Sequence, residues 1–350
     1  MGRQAGGDDE IILITQQGET PPVWFKCERR IVTYRPLRPN RFNWIADHMF
    51  LSRIVQRSGA TVFLATDFNS YLTPPTGVRV VSTLYDVIPF LFPEVMAQQP
   101  CSIRVGWPCN FRKLRTSDAL IAISKATKDD AVRVLGLDPD KISVIYPGID
   151  HDAFSPGLAG DPLEQSRVRE QYCSGERYFI YVGDTDWRKN LPRLLEACVA
   201  LPVGIRLLIV GKRALHDQRL AGLIDSLGLQ RRVSLAGFVP VEDLPPLYGA
   251  AEALVFPSLY EGFGFPVAEA MACGCPVITS NVSSLPEVAG DAALLVDPAS
   301  VDEISAAMRR IIEESALRER LKNDGLRQAA QFTWERNAAE VLGVLRKIAG

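Results

Sequence analysis

Histidine is almost missing from this chain: His48, His151 and His216 are the only three in 350 residues. No Cys-x-x-Cys pair stands beside them, so the usual spacing of a Cys/His metal centre is missing. The seven cysteines, at 27, 101, 109, 173, 198, 273 and 275, are odd in number and scattered. They read as reduced thiols of a cytosolic protein, with Cys273-Gly274-Cys275 a packing feature. Excess charge of either sign is lacking too. The 39 Lys and Arg against 41 Asp and Glu leave a net charge of −2, which argues against a dedicated nucleic-acid binder. No apolar run reaches about 18 residues, so no membrane-spanning helix is expected. The opening MGRQAGGDDE has no apolar core, and a secretory signal is not expected there. No Gly-x-Gly-x-x-Gly follows a strand-like run, which speaks against a dehydrogenase.

What the chain does have is rhythm. Apolar residues make up 47% and charged residues 23%, a globular composition, and the length allows two domains with a core each. Short apolar runs recur: EIILIT (10–15), RIVTY (30–34), ATVFLAT (60–66), VRVVSTLYD (78–86), DALIAIS (118–124) and KISVIYP (141–147). A second set follows: YFIYVG (178–183), IRLLIVG (205–211), RVSLAG (232–237), AEALVFPS (251–258), CPVITS (275–280) and AALLVDP (292–298). Few of them alternate, as expected of parallel strands buried on both faces. Helical stripes lie between, such as Leu191, Leu194, Leu195, Cys198 and Val199, or Leu220, Leu223, Ile224 and Leu227. The expected architecture is α/β, with two Rossmann-like doubly wound domains facing across a cleft. The Gly-, Pro- and Asp-rich segment 148–176 is the expected linker.

Ligands of such sheets bind beyond the carboxyl ends of the strands, and two strand ends carry suggestive chemistry. In YVGDTDWRKNLPRLLEA (181–197), Arg188 and Lys189 stand just before a helix that Pro192 helps to start. A helix N-terminus with two cations at its mouth suits a diphosphate, although most Arg-Lys pairs are simply solvated. In YEGFGFPVAEAMACGCPVITS (260–280), Glu261 and Glu269 bracket the loop Gly262-Phe263-Gly264-Phe265. That loop brings backbone N–H groups to a helix start, and its glycines allow close approach. Glu261 can accept from sugar hydroxyls and Glu269 from a ribose diol; alternatively, Glu269 only solvates its helix. Asp184-Thr185-Asp186 has the spacing of a metal-binding diacid, but the basic pair that follows supplies the charge a metal would bring, so no metal is expected.

The Glu261…Glu269 pair with GFGFP between resembles the E-x7-E motif of retaining glycosyltransferases of family 4, which have the GT-B fold. Further stretches are similar: SLAGFVPVEDLPPLYGAAEALVFPSLYEGFGF through to SSLPEVAGDAALLVDP, the closing FTWERNAAEVLGVLRKI, and in the first half YDVIPFLFPE, ALIAISKATKDDAVRVLGL and ISVIYPGID. The resemblance implies an acceptor-side domain over 1–157, a nucleotide-sugar-binding domain over 158–330, and a closing helix, 331–350, laid back on the first domain. It implies that Arg188 and Lys189 bind the donor diphosphate. Glu261, Gly262 and the amides of Phe263, Gly264 and Phe265 would hold the transferred sugar and phosphate, and Glu269 the ribose. Gly183 would give the backbone room at the diphosphate, Asp184 would be a further donor-binding residue, and Val239 would lie in the loop bordering the base. It also implies a metal-independent, retaining transfer with no cofactor beyond the donor. The overall look is nearest bacterial mannosyltransferases of O-antigen and exopolysaccharide assembly. That favours GDP-mannose as donor, a UDP-sugar second, and a glycan or polyprenyl-linked acceptor.

Two departures from the family pattern stand out. Many relatives carry His just before the Asp that ends the YDVIP strand; here Tyr85 precedes Asp86, and a phenol donates a hydrogen bond but is a poor proton acceptor near neutral pH. The chain also starts almost directly at DEIILIT, as though a first strand–helix unit were absent. The stretch RVGWPCNFRKLRTSDA (104–119) brings Arg104, Arg112, Lys113 and Arg115 together with Trp107 and Phe111. Either it rests against an anionic membrane, the protein being cytoplasmic and peripheral at the membrane's inner face, or it is a solvated helix face with Phe111 turned inward. The competing functions are a sugar-nucleotide epimerase of the same fold and a non-catalytic nucleotide-sugar sensor or assembly scaffold.

Overall fold

A parallel strand covered by helices on both faces needs apolar side chains at consecutive positions, and so appears in sequence as an unbroken run. The computed structural model describes residues 10–16, 31–34, 43–66, 75–97, 111 and 113–350. Within them, each of the runs above contains one strand. In the first half these are β1 (Leu13–Gln16), β2 (Ile31–Tyr34), β3 (Val62–Ala65), β4 (Arg79–Leu84), β5 (Ala119–Ala122) and β6 (Ile142–Val144). The second half has β7 (Arg177–Val182), β8 (Ile205–Val210), β9 (Val233–Gly237), β10 (Leu254–Phe256), β11 (Val277–Ser280) and β12 (Leu294–Val296). Strand order is β3-β4-β5-β6 in one sheet and β12-β11-β10-β7-β8-β9 in the other, with β1-β2 as a separate pair. The pairings among these strands are parallel.

The chain divides into two compact units: residues 1–146 with 335–350, and residues 147–334. In the first, all four residues of β5 are buried. Leu120 and Ala122 join Leu84, Leu114, Ala131 and Leu135 on one face. Ala119 and Ile121 join Val81, Ile145 and Val341 on the other. Val341 lies on the closing helix, Trp334–Ala349, whose Val344, Leu345 and Ile348 pack on the same cluster. Phe111 is core in this unit, edge-on to Phe90 at 4.5 Å. Lys113 is buried as well, and Arg115 donates to the Leu135 carbonyl at 2.7 Å. Phe111 and Lys113 are thus turned inward, while Arg115 remains exposed. Arg104, Trp107 and Arg112, like the opening residues 1–9, lie outside the described residues.

In the second unit, the helix Leu191–Val199 buries Leu191, Leu194, Leu195 and Cys198 as its stripe requires, while Val199 ends the helix half-exposed. Cys173, Cys198, Cys273 and Cys275 are buried free thiols, and burial pushes Cys173, Cys198 and Cys275 each up to about 12. No helix among the described residues is long and apolar enough to cross a membrane.

The first unit ends at Tyr146, earlier than residue 157, and the reason is local. Ile149 forms a parallel bridge with Thr333, its N–H donating to the Phe332 carbonyl at 3.1 Å. His151 Nε2 lies 3.2 Å from that same carbonyl oxygen. The segment after Tyr146 is thus pinned to residues 332–334. Gly148 makes this contact possible: a Cβ there would stand 2.2 Å from the Trp334 backbone nitrogen. Gly148→Ala must push two backbones apart, at a cost of about 1–3 kcal/mol. Urea unfolding is expected to show a lower midpoint for this variant, and an unchanged midpoint would mean the two segments do not meet this closely.

Candidate active site

In the second sheet the strand order reverses between β7 and β10. The chain runs outward through β8 and β9 on one side, then returns to build β10, β11 and β12 on the other. Helices on either side of such a switch point leave a crevice at the carboxyl ends of the two central strands. Both loops of interest start there.

After β7, the Asp186 carboxylate caps a short turn, Trp187–Lys189, accepting from the Arg188 N–H at 3.2 Å and facing Arg188 Nε at 3.1 Å. Asn190 closes the turn in the left-handed conformation, φ 60°. Its buried amide donates to the carbonyls of Pro257 at 2.9 Å and Pro298 at 2.7 Å. The Leu259 N–H donates to the Arg188 carbonyl at 2.7 Å. The loop after β7 is thereby stitched to the loop after β10.

On the β10 side, Ser283 clasps both backbone groups of Glu261. Its hydroxyl accepts from the Glu261 N–H at 3.2 Å and donates to the Glu261 carbonyl at 2.6 Å. The Ser284 hydroxyl lies 2.7 Å from the Phe263 carbonyl and 2.9 Å from that of Glu261. Gly264, at φ 115°, turns the chain into the helix Phe265–Ala272. Sequence reasoning missed Asn190, Ser283 and Ser284. Their partners are far away in the chain, and nothing in their type distinguishes them from ordinary turn residues.

With the loops so fixed, Lys189 Nζ lies 2.6 Å from Glu261 Oε1 and Arg188 Nη1 3.4 Å from Oε2. The Glu261 residue is only 7% exposed, and the Lys189 ammonium also sits 4.9 Å from the centre of the Phe256 ring. The two cations expected to form a positive cradle therefore face two carboxylates, Asp186 and Glu261.

The other candidates sort by what they touch. Asp184 accepts from the Arg213 N–H at 3.0 Å and faces its Nε at 3.1 Å, bracing the loop after β8. Asp184 and Asp186 thus each face an arginine. Gly183 is demanded by packing, since a Cβ there would stand 2.8 Å from the Tyr181 hydroxyl. Phe263 is buried between Phe265 and Phe332, so only its backbone can meet a ligand, whereas Phe265 is partly exposed. Gly262 lies in the same loop. Val239 is buried next to Phe238, which is 75% exposed. Tyr85 and Asp86 belong to the first unit, just past β4. Asp86 Oδ1 accepts from the Ile88 N–H at 3.1 Å, and Tyr85 is 45% exposed rather than packed.

Two family models match, "Glycosyltransferase Family 4" over residues 4–153 and "Glycosyl transferases group 1" over 164–328. The O-antigen chain mannosyltransferase B of Escherichia coli is 34% identical over 283 residues, covering 79% of this chain and 72% of that protein. The chain belongs to the family 4, group 1 glycosyltransferases. Its activity class is that of a hexosyltransferase. A second relative, the serotype-specific mannosyltransferase WbdA of Escherichia coli, is 27% identical over 266 residues, 74% of this chain, but the match spans only 32% of that longer protein. Among solved structures, the sucrose-phosphate synthase of Thermosynechococcus elongatus superposes with a TM-score of 0.76 at 22% identity, covering 96% of this chain and 88% of that one. HepE of Anabaena, in complex with UDP and glucose, superposes at 0.72 and 20% identity over 91% and 86%. The likeness to these two is one of fold, the GT-B fold.

Glu269 of this glycosyltransferase lies in the helix Phe265–Ala272, and burial pushes its carboxyl up to about 7. A hydrogen bond from the buried Tyr248 hydroxyl, at 3.4 Å, offsets part of that shift. Between its ordinary value of 4.5 and about 7, the folded chain holds a proton that the unfolded chain has released. Its stabilising contribution is therefore complete below the ordinary value and is lost as pH rises through about 7. The bound on the effect is about 3 kcal/mol. Unfolding free energies measured between about pH 5 and about pH 8 are expected to fall for the wild type relative to Glu269→Gln. A difference between the two that stays constant with pH would show that Glu269 is ionised throughout.

Proposed function

We propose that this glycosyltransferase moves a hexose, mannose in the favoured reading, from a nucleoside diphosphate sugar to a glycan or lipid-linked acceptor in O-antigen or related polysaccharide assembly. The observation that carries the reading is the meeting of Lys189, Arg188 and Glu261 at the switch point between β7 and β10. Mannose is supported by the names of the two Escherichia coli relatives. GDP-mannose is the first choice of donor and a UDP-sugar the second; HepE's complex with UDP and glucose keeps the latter in view.

In this reading Lys189 and Arg188 take the diphosphate, one as a point charge and one as a fork. Glu261 and the backbone at Gly262, Phe263, Gly264 and Phe265 receive the sugar. Glu269 accepts from the ribose diol, and the main chain at Val239 borders the base. Tyr85 and Asp86 are carried as catalytic candidates on the family resemblance alone, Tyr85 as a hydrogen-bond donor. The acceptor hydroxyl attacks the anomeric carbon on the face from which the diphosphate leaves, so configuration is retained. The carbon–oxygen bond to phosphate breaks with its electron pair going to the phosphate, and the acceptor's proton passes to that same phosphate oxygen. The protein's part is positioning and stabilisation of the departing charge. A metal-free transfer is supported by Asp184 and Asp186 each facing an arginine.

Lys189→Ala tests the assignment. Loss of a charge-assisted contact to the leaving diphosphate, about 2–4 kcal/mol, corresponds to a kcat about 30- to 1000-fold lower. Sugar transfer from GDP-mannose, assayed alongside urea unfolding, is expected to show that loss with the fold intact. Turnover at the wild-type rate would remove Lys189 from the reaction and the diphosphate site with it.

A further inference from the structure

The two cations of the site are paired with carboxylates of the chain itself. Lys189 Nζ is 2.6 Å from Glu261 Oε1, Arg188 Nη1 is 3.4 Å from Oε2, and Arg188 Nε is 3.1 Å from Asp186. Glu261 cannot easily swing away into water, because it is 7% exposed and its backbone is held at both ends by Ser283. A phosphate arriving at Lys189 therefore meets a fixed carboxylate already seated on the same ammonium. Like charges this close to a buried carboxylate repel strongly.

We infer that Glu261 discriminates the intact donor from the released nucleoside diphosphate, expelling the latter by competing for Lys189 and Arg188. The inference rests on the donor-site reading above and deepens it. An intact nucleotide sugar brings hydroxyls that donate to the Glu261 carboxylate, so its charge becomes a ligand of the donor instead of a rival to the phosphate. Once the sugar has been transferred, those hydroxyls are gone. The carboxylate then competes with the diphosphate for one shared ammonium without those hydroxyl donors, and departure of the diphosphate leaves Lys189 and Arg188 to Glu261 and Asp186 as in the structure. One residue thus favours the substrate and disfavours the product at the same atoms, which matters wherever product release limits turnover.

The test is calorimetric titration of the full chain and of Glu261→Gln with GDP, UDP and inorganic pyrophosphate. The amide keeps the shape and still accepts from Lys189, but removes the charge. The expected result is that the preferred nucleoside diphosphate binds Glu261→Gln about 10-fold or more tighter than it binds the wild type, with pyrophosphate shifting the same way. GDP-mannose or UDP-glucose, whichever the wild type binds, should not gain. Glu319→Gln, which removes the same charge from an exposed helix face, should leave the affinities unchanged and controls for net charge. Nucleoside diphosphate binding that is equal or weaker in Glu261→Gln, or equally tightened by Glu319→Gln, overturns the inference and leaves the donor site standing. No binding of any nucleotide to either protein overturns the donor-site reading itself. Should Glu261→Gln fail to fold, Glu261→Asp serves. Its shorter carboxylate withdraws from Lys189, and tighter diphosphate binding is again expected, with unchanged binding counting against the inference.

Discussion

The contact between Lys189 and Glu261 is the constraint on which the site turns. These residues are 72 apart in sequence and are joined only because β7 and β10 lie side by side where the strand order reverses. The contact is a poor source of stability. Taking two charges out of water costs several kcal/mol per ion, and their attraction roughly offsets that cost, although removing one partner alone costs about 3–5 kcal/mol. The surrounding neutral hydrogen bonds fix its geometry instead: Asn190 on the carbonyls of Pro257 and Pro298, Leu259 on Arg188, Ser283 around Glu261. Rigid neutral bracing around a charged pair keeps the charges in place for a ligand that must rearrange them.

The sheet beneath makes such bracing precise. Tyr178, Phe179, Ile180 and Tyr181 of β7 are all fully buried, as are Leu254, Val255 and Phe256 of β10, so the two strand ends have little freedom to shift. Close-packed interiors transmit even small displacements. The helix that carries Glu269 is equally sunken, with Val267, Ala268, Ala270 and Met271 fully buried. That burial pushes its carboxyl up to about 7. If the proposed donor reading holds, hydroxyl donors from a ribose stabilise the ionised form, and binding there is linked to deprotonation.

Much of this was legible in the sequence, for identifiable reasons. Parallel strands buried on both faces leave unbroken apolar runs, and each run proved to hold a strand. Arg188, Lys189, Glu261 and Glu269 stood out because charges at strand ends of an apolar chain are conspicuous. Pairing was not legible. The sequence suggests a bare cationic cradle, whereas Glu261 and Asp186 neutralise it in the fold. Asp184, read as a donor ligand, braces Arg213. The division at 146/147 escaped because it rests on a bridge between Ile149 and Thr333, a contact no local composition announces. Asn190, Ser283 and Ser284 escaped for the same reason: their task is set by distant partners.

The central claim is that the Lys189–Glu261 pair exists in the free site and is given up to the diphosphate. A double-mutant cycle reads it directly, using Lys189→Met, Glu261→Gln and the pair, with unfolding free energies measured in the absence and in the presence of saturating nucleoside diphosphate. The account predicts a coupling of about 1–3 kcal/mol in the free protein that falls close to zero when the diphosphate is bound. A coupling of the same size in both states would contradict it.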